Sequence, residues 1–235
     1  MKEKGHMLIE LKDIWKIYPM GAEVEIQALK AVDLDVKEGE FISVAGPSGS
    51  GKTTLLNIIG LIDNFSRGKL ILNGMEIGKQ TRQELARLRR EYIGFVFQSI
   101  NLLPVLNVFE NVELPLVISK KIVSRAERRE KVQYLLEEVG LADRRKHFPA
   151  ELSGGQQQRV AIARALATSP RMVIADEPTA NLDSNTGDKI LLLMKKINKE
   201  EKTTFVFSTH DPEIWQMADN IVFLHDGEIK SEERF

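Results

Sequence analysis

Along this 235-residue chain the spacing of apolar positions switches repeatedly between a period of two and a period near 3.6. Residues 8–18 set Leu8, Glu10 and Lys12 against Ile9, Leu11 and Asp13 and continue through Trp15, Ile17 and Tyr18, which predicts a strand with one buried face. Residues 28–37 alternate again and are expected to pair with it antiparallel. Glu38-Gly39-Glu40 then turns the chain into the apolar run 41–45, a strand, and residues 55–59 read as the start of a helix. Residues 68–72 form a short strand ending in an Asn73-Gly74 turn. Thr81 and Glu84 make a capping box for a basic helix through Arg90, and residues 93–97 read as a buried strand with Gln98 at its end.

From about Ser99 the pattern changes. Residues 102–116 are apolar and mostly helical in spacing, broken by Pro104 and Pro115. Ser124 and Glu127 form another capping box for a helix to Val139, where Gly140 stops it. Leu152-Ser153-Gly154-Gly155-Gln156 opens a helix that runs from Gln157 to about Ala167. No strand pattern occurs between residues 98 and 171, so this stretch reads as an inserted helical lobe. Strand spacing returns at 171–176, a helix follows at 184–200, and a second buried strand spans 203–208. Asp211-Pro212 signals a further helix start, and 221–224 and 228–230 flank a hairpin turn at Asp226-Gly227. Strands alternating with helices predict an α/β fold with a mainly parallel sheet and ligands at the carboxyl ends of its strands. The expected division is one domain: residues 1–98 and 169–235 form the α/β core with its β-subdomain, and 99–168 form the helical lobe.

Chemistry enters between the third strand and its helix. Gly46-Pro47-Ser48-Gly49-Ser50-Gly51-Lys52-Thr53-Thr54 fits the P-loop pattern in the strand–turn–helix context that pattern needs. Glycines allow backbone dihedrals that let successive N–H groups converge on one anion, and the helix start adds its positive end. Lys52 is placed to reach the β- and γ-phosphates, and the Thr53 hydroxyl to ligate Mg²⁺. Asp176 ends an apolar strand, where a carboxylate can hold the same Mg²⁺. Glu177 beside it can orient and deprotonate a water. The plain alternative for that pair is two solvated acids at a strand end. His210 lies just past another strand end, on the same rim as the P-loop, Gln98, Asp176 and Glu177. A lone histidine there is more often structural; its position argues for contact with a γ-phosphate oxygen or the attacking water. Ser153 and Gln156 satisfy a capping box by themselves, but a cap needs no glycines. Gly154 and Gly155 leave bare N–H groups, so the chain carries a second phosphate-grade helix start. Tyr18 reads from sequence as a packing or anchoring aromatic.

Composition narrows the setting. Lys plus Arg is 33 against 34 Asp plus Glu, so no whole-chain basic field favours nucleic acid. There is no cysteine, which excludes disulfides and thiolate–metal sites, and the four histidines lack metal-ligand spacing. No apolar run is long enough to span a bilayer and the N-terminus lacks a signal-peptide pattern. The expectation is a soluble, unexported protein whose membrane link comes through a partner.

Taken together, residues 46–54, Gln98, Leu152-Ser153-Gly154-Gly155-Gln156, Met172–Glu177, Asn181-Leu182-Asp183 and His210 closely resemble the ATP-binding subunit of ABC transporters, in order and spacing, over essentially the whole chain. The resemblance implies a P-loop NTPase with an F1-like core, an N-terminal antiparallel β-subdomain and the helical lobe. It also implies a head-to-tail homodimer with each of two ATP molecules between one P-loop and the partner's signature. Ser153, Gly154, Gly155 and Gln156 would then serve ATP held by the second copy, Tyr18 would stack on adenine, and Asp183 would lie at the dimer interface. Gln98 would touch Mg²⁺ and relay its state to the lobe, against which an integral membrane permease docks at the cytoplasmic face. Residues 94–116, 152–166 and 175–187 are similar to the branch serving lipoprotein release, macrolide and peptide export and cell division. Departures are small: Thr53 stands where serine is frequent but keeps the hydroxyl, and Ala180 stands where glycine is common. Other readings compete less well. A DNA-repair relative would carry a long coiled coil where about a hundred residues without heptads intervene. A ribosomal relative would carry two such domains. A GTPase would need an Asn-Lys-x-Asp motif, and a regulatory module would not need Glu177 and His210.

Overall fold

The computed structural model describes residues 6–21, 24–119, 124–209, 215 and 217–235. Among them lie two sheets. The strands β1 (Met7–Met20), β2 (Val24–Lys37), β4 (Arg67–Leu72) and β5 (Met75–Ile77) form a four-stranded antiparallel sheet in the order β2-β1-β4-β5. The second, six-stranded sheet comprises β3 (Phe41–Ala45), β6 (Ile93–Val96), β7 (Met172–Asp176), β8 (Thr204–Ser208), β9 (Asn220–His225) and β10 (Glu228–Arg234), ordered β10-β9-β3-β8-β7-β6. All neighbours in it are parallel except β9 and β10. The expected antiparallel subdomain and mainly parallel core are therefore both present. The β4–β5 hairpin around Asn73-Gly74 and the extension of β10 to Arg234 go beyond the expectation.

The core strands are buried on both sides because two cores meet there. In β3, Ile42 and Val44 join one core with Met172, Ile174, Val206 and the inner face of the antiparallel sheet. Phe41 and Ala45 point the other way, into a core with Val173, Phe205, Phe207 and the helices of the lobe. Such strands read as continuous apolar runs because each neighbouring layer covers a face. Helix α1 (Lys52–Ile59) lies in the first core, whereas α5 (Gly154–Leu166) and α6 (Ser184–Glu201) lie in the second. Gly94 sets the approach of α5: a Cβ there would come within 2.2 Å of the Ala165 carbonyl oxygen, so only glycine lets the helix end rest on β6.

Helix α2 (Arg82–Tyr92) starts at the expected Thr81–Glu84 capping box. In the lobe one expectation is corrected. Helix α3 (Val108–Ser119) is not broken at Pro115 but continues four residues past it. Proline removes one helical hydrogen bond, and here the buried face of Val108, Val112 and Leu116 against α4 (Arg125–Glu138) and α5 outweighs that loss. Residues 102–107 are not helical; Asn107 caps α3 in reciprocal bonds with Glu110, each 2.9 Å. Short 3-10 turns at Ala142–Arg144 and Pro149–Glu151 were not expected. The helix start at Asp211-Pro212 lies outside the described residues.

Asn111, fully buried on α3, organises the loop that leads into the lobe. Its Oδ1 accepts from the Leu103 N–H at 2.9 Å, and its amide donates to the carbonyls of Leu103, Leu106 and Asn107 at 3.1, 2.8 and 3.0 Å. Asn111→Ala strips all of these partners, so a loss of about 2–3 kcal/mol in unfolding free energy is expected by urea denaturation. A loss below ~0.5 kcal/mol would show that the loop is held by other contacts.

Candidate functional site

Strands β3, β6, β7 and β8 are parallel, so their carboxyl ends reach one edge of the sheet. The P-loop leaves β3 at that edge. Its backbone is bound closely on both sides. A Cβ on Gly46 would lie 2.1 Å from the Leu224 carbonyl oxygen, and one on Gly51 would lie 2.6 Å from that of Ala28. Both glycines have positive φ, 149° and 106°. The turn between β9 and β10 completes the clamp: the Gly227 N–H donates to the Ser50 carbonyl at 3.0 Å, and its own carbonyl accepts from the Lys30 N–H at 2.8 Å. A planar trans peptide points its C=O and N–H in opposite directions, so tethering the Ser50 oxygen outward turns the Gly51 N–H away from the hairpin. Helix α1 carries no acidic residue in its first turn, so nothing in that turn neutralises its positive end. The Lys52 ammonium folds back over the loop onto the Gly46 and Pro47 carbonyls, at 2.7 and 2.9 Å.

The P-loop forms one wall of a cavity of about 740 Å³. That volume suits a nucleotide-sized ligand. Gln98, Asp176 and Glu177 form the facing wall, and Ile26, Ala28 and Gly227 border it from the β2 and hairpin side. Thr53 and Asp176 meet across it: the Thr53 hydroxyl donates to one Asp176 oxygen at 2.8 Å. The other Asp176 oxygen accepts from the Ser208 hydroxyl. Glu177 adopts the left-handed conformation, φ 50°, and its N–H is held by the Ser208 carbonyl at 3.1 Å and hydroxyl oxygen at 3.2 Å. A strained non-glycine backbone of this kind persists only when its surroundings over-determine it, as Ser208 does here. Ser208 was missed by sequence reasoning; the available signal was a small polar residue closing the apolar strand β8 at the ligand edge. The Asp226-Gly227 turn was read only as a hairpin and is also part of the cavity border.

Thr53, Asp176 and Gln98 offer a donor set made only of oxygens. No group of three or more His, Cys, Asp or Glu placed to hold a metal ion occurs among the described residues. A single carboxylate with a hydroxyl suits Mg²⁺, which keeps several waters and takes its other ligands from phosphate.

The other candidates lie around this centre. Tyr18 is not among the residues lining the cavity, although its cross-strand partner Ile26 is. Its hydroxyl donates to Asp63 at 2.6 Å, and the Lys16 ammonium sits 4.6 Å from its ring centroid. Burial and that bond to Asp63 raise the phenol's pKa, with a Thr54 hydrogen bond acting the other way. Burial works against the Asp63 carboxylate, but bonds from Lys16, Tyr18 and Asn64 outweigh it and hold its pKa low. Ser153 caps α5 in the expected box with Gln156. Ser153 and Gly154 are exposed, and neither they nor Gly155 and Gln156 line the cavity. Further along α5, buried Gln158 donates to the Pro178 carbonyl at 3.1 Å, tying this helix to the residue after Glu177. Asp183 is exposed and caps α6 through the Thr186 N–H at 3.1 Å. His210 lies outside the described residues.

Known proteins match this arrangement along its length. Residues 29–180 match the family model described as ABC transporter. The uncharacterized ABC transporter ATP-binding protein MJ0796 of Methanocaldococcus jannaschii is 48% identical over 97% of both chains. A macrolide export ATP-binding/permease protein, MacB, of Bdellovibrio bacteriovorus is 46% identical over 97% of this chain, which spans 34% of that longer protein. Among solved structures, a dimeric post-hydrolysis state of the MJ0796 cassette bound to ADP and Pi aligns with a TM-score of 0.92. That alignment has 47% identity and covers 96% of this chain and 98% of the other. With near-half identity from end to end and a P-loop built on the same fold, the chain belongs to the ABC transporter family, as one of its ATP-hydrolysing cassettes.

Proposed function

We propose that this chain powers a membrane exporter: two copies close around two ATP molecules, hydrolysis reopens them, and the cycle drives a separate integral permease. The observation that carries this reading is the exposed start of α5 outside the cavity: the Ser153–Gln156 box caps it within the chain, but that cap needs no glycine, and Gly154 faces open space. A second copy arranged head to tail would present Ser153, Gly154, Gly155 and Gln156 to ATP held by the first, with Asp183 at the seam. The dimeric MJ0796 cassette supports that assembly, and the ATP-binding/permease name of MacB supports coupling to export. No helix among the described residues is long and apolar enough to cross a membrane. Attachment at the cytoplasmic face would therefore run through the permease, with the helical lobe of residues 99–168 as the docking unit, and no nucleic-acid role is invoked.

Within each site the roles follow from charge and reach. The P-loop residues Gly46, Pro47, Ser48, Gly49, Ser50, Gly51 and Thr54 cradle the phosphates, mainly with main-chain N–H groups. Lys52 exchanges its two carbonyl partners for phosphate oxygens, and Tyr18 stacks against adenine. Thr53, Gln98 and Asp176 would hold Mg²⁺, which when bound neutralises phosphate charge. Glu177, set by the Ser208 clamp on its N–H, orients the attacking water and accepts its proton, while His210 steadies the γ-phosphate side.

Glu177→Gln keeps size and hydrogen bonding but cannot take a proton. It should lower kcat at least about a hundredfold while ATP still binds, and it should accumulate an ATP-bound dimer in size-exclusion chromatography. Turnover at the wild-type rate would remove Glu177 from the role of base. Ser153→Arg costs the α5 cap about 1 kcal/mol, which a fold of this size tolerates. It should leave ATP binding to the single chain intact and abolish ATP-driven dimerisation; unchanged dimers would show that the signature does not face a partner's nucleotide. The tagged Glu177→Gln chain, used with ATP as bait on detergent-solubilised membranes of its own cells, should retain an integral membrane protein identified by mass. Retention of ribosomes or nucleic acid in its place would overturn the transport reading.

A further inference from the structure

Lys16 is a charged residue in an unexpected setting. It lies on β1, two residues from Tyr18, and its side chain is only 7% exposed. Removing an ammonium from water is costly unless hydrogen bonds replace the lost solvation. Here all three of its donors are matched: Asp63 Oδ1 at 2.8 Å, the Asn64 carbonyl at 2.7 Å and Asn64 Oδ1 at 3.1 Å. The same Asp63 accepts the Tyr18 hydroxyl on its other oxygen, 2.6 Å away. One carboxylate thus fixes both the cation and the ring, and it fixes them against each other: the Lys16 ammonium stands 4.6 Å from the Tyr18 centroid. That separation lies within cation–π range.

The position of this unit matters. Alternate residues of a strand share a face, which places Lys16 and Tyr18 on one side of β1. Tyr18 pairs across the strands with Ile26, which borders the nucleotide cavity. A simple tie between β1 and the segment after α1 would need only the Lys16–Asp63 pair. It would not need the ammonium over a ring, nor the ring's hydroxyl on the same carboxylate.

We propose that Lys16, held by Asp63, is a positioning residue for nucleobase recognition: it locks the Tyr18 ring beside Ile26 of the cavity border and occupies one of the ring's faces. The opposite face would receive the base. The nearby cation draws electron density from the ring, which favours stacking against an electron-rich purine over a smaller pyrimidine. This proposal rests on the reading that Tyr18 stacks with adenine. Lys16 does not line the cavity, and its donors are taken by Asp63 and Asn64, so its influence would run through the Tyr18 ring to the base.

The test separates base from phosphate. ATPase kinetics of the purified chain with ATP and CTP are compared with inhibition by inorganic tripolyphosphate, which has no base. Lys16→Met keeps the apolar stem and removes the charge. It should raise KM for ATP about three- to tenfold with little change in kcat, and narrow the preference for ATP over CTP. The tripolyphosphate inhibition constant should stay at its wild-type value, and Lys16→Arg should restore the ATP KM. If Tyr18→Ala raises the ATP KM but Lys16→Met does not, the proposal fails and the stacking role of Tyr18 survives. If Tyr18→Ala leaves the ATP KM unchanged, the stacking reading fails and takes the proposal with it. A parallel rise in the ATP KM and the tripolyphosphate constant means general loosening and overturns the assignment. Should Lys16→Met not fold, Asp63→Asn carries the same comparison, because it removes the shared anchor while Lys16 keeps both Asn64 oxygens. An unchanged ATP KM in that variant overturns the proposal.

Discussion

A loop this rich in glycine has few side chains with which to hold itself. This constraint governs the architecture. Between Gly46 and Gly51 the backbone is packed so closely by Leu224 and Ala28 that a methyl group at either glycine would collide with a carbonyl. The support therefore comes from elsewhere: from β2 on one side and from the β9–β10 turn on the other, joined through Gly227. The antiparallel sheet is part of this support, since β2 is one of its strands and its inner face packs on the core sheet above α1.

The same economy applies on the facing wall. Asp176 and Glu177 are successive residues, and one serine holds both, the first by its side chain and the second by its main chain. The Ser208 hydroxyl engages the Asp176 carboxylate, while its carbonyl and hydroxyl oxygens take the Glu177 N–H. Their separation is thus set by the pairing of β7 with β8, a property of the sheet rather than of the loop. Gln158 extends the connection to α5 through the Pro178 carbonyl, so the exposed start of that helix and the backbone beside Glu177 belong to one packed unit.

Much of this was legible in the sequence because the relevant signals are local. The P-loop glycines, the acid closing β7, and the Thr81–Glu84 and Ser153–Gln156 boxes all depend on residues a few positions apart. What escaped depends on residues far apart. Pro115 signals a helix break locally, yet the buried face of α3 carries the helix past it. Ser208 looks like the end of a strand until β7 is laid beside it. The hairpin at Asp226-Gly227 is an ordinary turn until its N–H meets Ser50. Nothing in the local pattern around Lys16 points to Asp63, 47 residues later, as its partner. Periodicity tells which face of an element is covered, not which atom covers it.

The order of the core sheet has a consequence for biosynthesis. Strand β3 emerges early from the ribosome but sits between β8 and β9, which are made more than 150 residues later. The Gly227 amide that fixes the Ser50 peptide arrives later still. A nascent chain therefore contains every residue of the P-loop long before it contains the loop's shape. Contacts of such wide sequence separation form late, since the entropy of closing the intervening chain must be overcome first. On the proposed reading, the growing polypeptide would not hold ATP at this loop until β8, β9 and the C-terminal hairpin had been made. Nucleotide would then act as a ligand of the finished fold, adding stability where the C-terminal hairpin has closed.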